Sequence, residues 1–172
     1  MLRWLGMGVI LFSCSSIGVT AAQKMKKRIQ NLYDLREGMM LLQGEIRYAK
    51  ATLPEAFEHA GAHAAPSCKA FFEAVGTQME RLETRSAKEV LVRCAKEELS
   101  GPGFLREDLE RLERLGEQLG YLDQEMQIKG LEFYIRQQQG VCEEAEREYR
   151  EKARLYRYMG IIGGLFLVIV LA

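Results

Sequence analysis

Residues 155–172 read LYRYMGIIGGLFLVIVLA. Gly160–Ala172 alone would reach only about 20 Å as a helix, too short for a hydrocarbon core of ~30 Å. From Leu155 the run extends to roughly 27 Å, and slight bilayer thinning covers the remainder. Tyr156 and Tyr158 are interface residues, and Arg154 and Arg157 can return their heads to the phosphates. The terminal carboxylate then falls at the far interface. Read this way, the stretch is a membrane helix rather than the buried last turn of a bundle.

The other end repeats the pattern. Trp4–Ala22, WLGMGVILFSCSSIGVTAA, has only Ser and Thr as polar interruptions, and Lys24, Lys26, Lys27 and Arg28 follow it. As a helix it spans roughly 28 Å. Ser and Thr hydroxyls bond within a membrane helix or to its neighbour, so they are tolerated. Two competing readings stay open. Val19-Thr20-Ala21 resembles a signal cleavage site, and Leu11-Phe12-Ser13-Cys14 nearly matches a lipoprotein box. The basic cluster behind the apolar run resists export. With Arg147, Arg150, Lys152, Arg154 and Arg157 before the second run, the positive-inside rule places the middle of the chain in the cytoplasm; Arg3 alone points the other way. Gly18-x-x-x-Ala22 and Gly160-x-x-x-Gly164 are small-residue steps of the kind that let membrane helices pack closely.

Between the apolar ends the chain is dense in charge, although the net charge of all 172 residues is zero. That balance offers no general attraction to nucleic acid. Cys14, Cys68, Cys94 and Cys142 form no CxxC pair, so no zinc ribbon or thioredoxin-type motif is written. Four reduced thiols are the plain reading; a Cys68–Cys94 disulfide would accompany an exported domain.

The middle is helical by periodicity. Ile29, Leu32, Leu35, Met39, Leu42 and Ile46 step by three or four, as do Phe71, Phe72, Val75, Met79 and Leu82. Leu105, Leu109, Leu112, Leu115 and Leu119 follow the same rule. So do Ile128, Leu131, Ile135, Cys142, Ala145 and Tyr149, with Gln138 as one polar interruption. Thr52-Leu53-Pro54-Glu55 opens a helix with Pro in its first turn and an acid near the positive end. Ser86-Ala87-Lys88-Glu89 fits a capping box, Gly101-Pro102-Gly103 is a break, and Asp123 caps the last helix. The spacing predicts helices over 2–50, 53–63, 66–83, 87–99, 104–118 and 122–172.

Chemistry is sparse. No GxxxxGK[ST] or strand-linked GxGxxG is present. His59 and His63 share a helix face, as metal-binding pairs do, but Ala-Gly-Ala separates them and the Glu of HExxH is missing. The run Glu143–Lys152 intermixes signs as an exposed helix does. Catalytic residues, metal and cofactor are all expected to be absent. The most particular stretch is LGYLDQEMQIKGLE, residues 119–132. There a Gly precedes an acidic cap and Gln127 is placed to bond across helices.

Four segments together resemble the stage III sporulation protein AB family of endospore-forming bacteria. They are the first apolar run with its trailing basic residues, GEIRYAKATLPEAF (44–57), LGYLDQEMQIKGLE, and ARLYRYMGIIGGLFLVIVLA (153–172). The resemblance implies a component of the channel between mother cell and forespore, similar to the helical domain of the platform proteins of type II secretion and type IV pilus machines. It implies a location in the mother-cell membrane and two kinds of partner: a cytoplasmic secretion-type ATPase and the other membrane proteins of the channel. Neither nucleic acid nor a small-molecule substrate is implied. Leu53, Pro54, Glu55, Leu119, Gly120, Asp123 and Gln127 are the motif positions carried over, as partner-facing or structural residues.

The expectation is an all-α protein. A membrane helix over 1–23, a cytoplasmic bundle over 24–154 and a second membrane helix over 155–172 make up the chain. Its work is docking rather than catalysis. An exported or lipid-anchored binding domain and a small metal-dependent enzyme using His59 and His63 are the alternatives.

Overall fold

The computed structural model describes residues 2–81, 86–99, 103–120 and 123–171, with side chains at Thr20 and, among those residues, from 22 to 152. All described secondary structure is helical. Helix α1 is Leu2–Gly44 and passes into a π-turn at Glu45–Ala49; α2 is Leu53–His63, α3 Pro66–Arg81, α4 Ala87–Glu98, α5 Arg106–Leu119 and α6 Gln124–Leu171. The expected order of helices is therefore present. The difference lies at 45–49, where the backbone widens from the α to the π pattern. Lys50 stops it in the left-handed conformation, with φ 53°.

The chain divides into two compact units, Arg28–Cys142 and the pair of segments Met1–Lys27 and Glu143–Ala172. The first unit holds the core. Leu35, Met39 and Leu42 of α1 and Ile46 of the π-turn are buried with Phe57 of α2, Phe71 and Phe72 of α3, Leu91 of α4, Leu112 and Leu119 of α5, and Leu131 of α6. Phe72 is central, with Phe71 edge-on at 5.2 Å and Phe57 tilted at 6.0 Å between ring centres.

Small residues set the helix spacing. A β-carbon on Gly76 would lie 3.1 Å from the Pro54 carbonyl oxygen and 3.0 Å from the Glu58 nitrogen, and one on Gly61 would lie 3.0 Å from the Glu73 nitrogen. These contacts fix α2 and α3 as an antiparallel hairpin. The same closeness recurs between α4 and α5, where a β-carbon on Gly116 would sit 2.8 Å from the Lys88 α-carbon. Lys88 also reaches Glu113 at 3.1 Å and Glu117 at 2.7 Å.

Cys68, Cys94 and Cys142 are buried and unbridged. The Cys68–Cys94 disulfide of the exported reading is therefore not formed. Burial pushes the Cys68 and Cys94 thiols up to about 11. Among the described residues no helix is long and apolar enough to cross a membrane. The two runs expected to do so have nearly all their side chains outside the described ones, Gly18, Gly160 and Gly164 included, while Ala22 is partly buried.

Candidate interaction site where two helix corners meet

The entry to α2 is closed by its own side chains. The Glu55 carboxylate accepts from the Thr52 backbone N–H at 2.9 Å and from the Thr52 hydroxyl at 2.7 Å. These bonds hold the carboxyl below its usual range, the hydroxyl bond most of all. Pro54 stands in the first turn, where its missing N–H costs nothing. Leu53 packs against the core. Leu53, Pro54 and Glu55 thus build the helix start itself.

The α5–α6 corner is closed in the same manner. Leu119 is buried and Gly120 ends α5, its N–H donating to the Gly116 carbonyl. Asp123 accepts from the Glu125 N–H at 3.3 Å, capping α6 as the sequence indicates. The Gln127 amide donates to the Leu119 carbonyl at 3.2 Å. That carbonyl belongs to the last turn of α5, where no intrahelical donor remains. Gln127 therefore does bond across helices.

The two corners meet. The Gln124 amide donates to the Ile46 carbonyl, inside the π-turn that ends α1. Arg47, from that turn, pairs with Glu132 of α6. Glu45 accepts the His59 ring at Nδ1, 3.1 Å away, tying the turn to α2. Segments 44–57 and 119–132, far apart in sequence, share one end of the Arg28–Cys142 unit. His59 is thereby held by a carboxylate, and among the described residues no three His, Cys, Asp or Glu side chains are grouped to hold a metal ion.

Four participants were outside the sequence-based choice: Ile46, Arg47, Gln124 and Glu132. Each lies inside a quoted motif, but nothing local marks a pair 78 or 85 positions apart. Tyr48 was also missed. It is 81% exposed, the most open large hydrophobic residue among those described, and stands on the π-turn beside Arg47. It lies off the stripe that Leu42 and Ile46 turn to the core. An open aromatic ring next to a guanidinium and a carboxylate has the composition enriched at protein–protein interfaces.

A second polar cluster is internal to the same unit. Asp108 of α5, 1% exposed, takes Arg28 of α1 at 3.1 Å and Arg111 of its own helix. It also accepts the Leu105 N–H at 2.7 Å, capping α5. Tyr134 and Gln138, one turn apart on α6, are buried with the Tyr134 hydroxyl and both polar atoms of the Gln138 amide unpartnered. Burial drives the Tyr134 phenol far above its usual range.

Comparison with known proteins bears on the whole chain. The family model for stage III sporulation protein AB matches residues 3–172. Stage III sporulation protein AB of Bacillus subtilis (strain 168) is 23% identical over 171 residues, 99% of each chain. A solved structure of a stage III sporulation protein AB (SpoIIIAB) shares the fold, with a TM-score of 0.64 and 22% identity. The likeness covers 72% of this chain and 97% of that one.

Proposed function

Because the chain belongs to the stage III sporulation protein AB family, we propose that it is a non-enzymatic membrane component of the channel joining mother cell and forespore. It docks a cytoplasmic secretion-type ATPase through its helical unit. It stands in the mother-cell membrane on two helices, residues 1–23 and 155–172, among the channel's other membrane proteins. One observation carries the docking part. The segments 44–57 and 119–132 converge through Gln124 and Ile46 at an end that leaves Tyr48 open. The acids and amides singled out there are occupied in caps and helix joints, which suits a scaffold and leaves no pair of groups poised as nucleophile and base.

The docking reading is tested by co-purification of the ATPase with Tyr48→Ala. Loss of most of the captured ATPase at unchanged thermal stability is the expected result; full capture contradicts it. Topology is tested separately. Cys68 and Cys94 are buried and will not report, so Glu107→Cys, on the exposed face of α5, supplies an open thiol. A membrane-impermeant thiol reagent should label it only after lysis. Labelling on intact cells would instead favour an exported domain.

A further inference from the structure

The basic residues flanking the two apolar runs differ in what they face. On α6 each described one has an acid a turn before it: Arg147 with Glu144 at 3.5 Å, Arg150 with Glu146 at 3.2 Å and Lys152 with Glu148 at 2.9 Å. On α1 the sequence holds no Asp or Glu before Asp34. Arg28 there is turned to Asp108. Lys24, Lys26 and Lys27 are exposed and, among the described residues, make no ion pair or hydrogen bond. Three bare ammonium groups thus stand directly behind the apolar run 4–22.

Their spacing gives the group a shape. Residues 24 to 27 rise about 4.5 Å along the helix, so the ammonium groups lie at nearly one level. At about 100° per residue, Lys26 points nearly opposite Lys24, with Lys27 between them. The three therefore form a broad band on one side of the helix, within an arc of about 160°. A band at one height complements a planar layer of anions. Three long stems can also splay outward without leaving that layer.

We propose that Lys24, Lys26 and Lys27 form a belt that binds the phosphodiester headgroups of acidic phospholipids, and that this belt, rather than the acid-paired Arg147, Arg150 and Lys152 of α6, carries the preference. The proposal rests on residues 4–22 being a membrane helix. It goes further in assigning lipid selectivity to one of these two basic groups. Among the described α6 cations, Arg147, Arg150 and Lys152 are already met by neighbouring carboxylates. Each free lysine near an anionic surface contributes about fivefold. The attraction is screened as the Debye length falls to ~3 Å at 1 M salt.

The test uses the full chain, reconstituted into phosphatidylcholine vesicles containing a minority of phosphatidylglycerol. Spin-labelled versions of both lipids report which contacts the protein. At low salt the wild type should prefer phosphatidylglycerol by about fivefold or more. The preference should collapse toward one in K24Q/K26Q/K27Q and at ~1 M salt, and persist in R150Q/K152Q. Soluble glycerol phosphate should not compete. No wild-type preference, a preference surviving in the triple variant, its loss in R150Q/K152Q, or displacement by glycerol phosphate would each overturn the belt. Vesicle flotation separates the premise from the proposal. If the wild type and triple variant both float with phosphatidylcholine alone, the membrane helix stands whatever the belt does. If neither floats, the membrane reading itself fails.

Discussion

The side-chain amide of Gln124 donates to the main-chain carbonyl of Ile46, joining the first turn of α6 to the π-turn that ends α1. A helix C-terminus leaves carbonyls without intrahelical donors, and this one is served from 78 positions away. The bond is a joint between the two segments that meet at the open end of the bundle. Gln124→Ala should lower stability by about 1 kcal/mol, the typical net contribution of one such bond. It should also weaken ATPase capture, because the π-turn carrying Tyr48 loses its brace. Chemical denaturation and co-purification on the same preparation check both parts.

Glycines at helix crossings and glycines facing open space should respond in opposite directions. Gly116→Ala places a β-carbon against the Lys88 backbone and should cost about 1–3 kcal/mol by forcing α4 and α5 apart. Nothing stands within 4 Å of a β-carbon on Gly140 of α6. Gly140→Ala should therefore stabilise by up to about 1 kcal/mol, through helix propensity alone. Thermal unfolding of the two variants reads both signs.

Gln138 breaks the apolar stripe of α6 at a fully buried position, and neither end of its amide has a partner. Replacing a buried, unpartnered polar group with an apolar one of similar size removes a desolvation penalty. Gln138→Leu should accordingly raise stability by about 1–3 kcal/mol. A fall in melting temperature would mean that the amide is bonded in solution.

The buried thiols make stability fall at high pH. Cys68 and Cys94 are pushed by burial from 9.0 to about 11 in the folded protein. A raised folded value means that the stabilisation is complete below the unfolded value and is lost as pH rises through the folded one. Stability should therefore be flat with respect to these groups below pH 9 and decline between 9 and about 11. Cys68→Ala with Cys94→Ala should flatten that decline. Iodoacetamide should modify neither thiol below pH 9 unless the chain is unfolded.

Local signals carried most of the fold. Thr52–Glu55, Ser86–Glu89 and Asp123 announced three helix starts, and each makes a capping bond in the structure. Apolar residues at helical spacing named most of the core, from Leu32 and Leu35 to Leu131. The π-turn was not legible, because Glu45–Ala49 has ordinary helix-forming residues and its geometry follows from the Lys50 stop and the Ile46–Gln124 joint. The site was half legible. Leu53, Pro54, Glu55, Leu119, Gly120, Asp123 and Gln127 were carried over from the family motifs as partner-facing or structural residues, and in the structure they form helix starts, ends and corners. The exposed Tyr48 and the Arg47–Glu132 pair depend on which helix faces which, and periodicity along one helix does not encode that. The Arg28–Asp108 pairing was hidden for the same reason, since Arg28 reads in sequence as one more member of a basic run.

The most direct test of the docking account is site-specific photocrosslinking in sporulating cells. A photoreactive phenylalanine analogue is placed at position 48 on the π-turn and, separately, at position 97 on the exposed face of α4. A crosslink to the ATPase from position 48 and none from position 97 is the predicted result. A crosslink from position 97 alone, or from neither, would contradict the account.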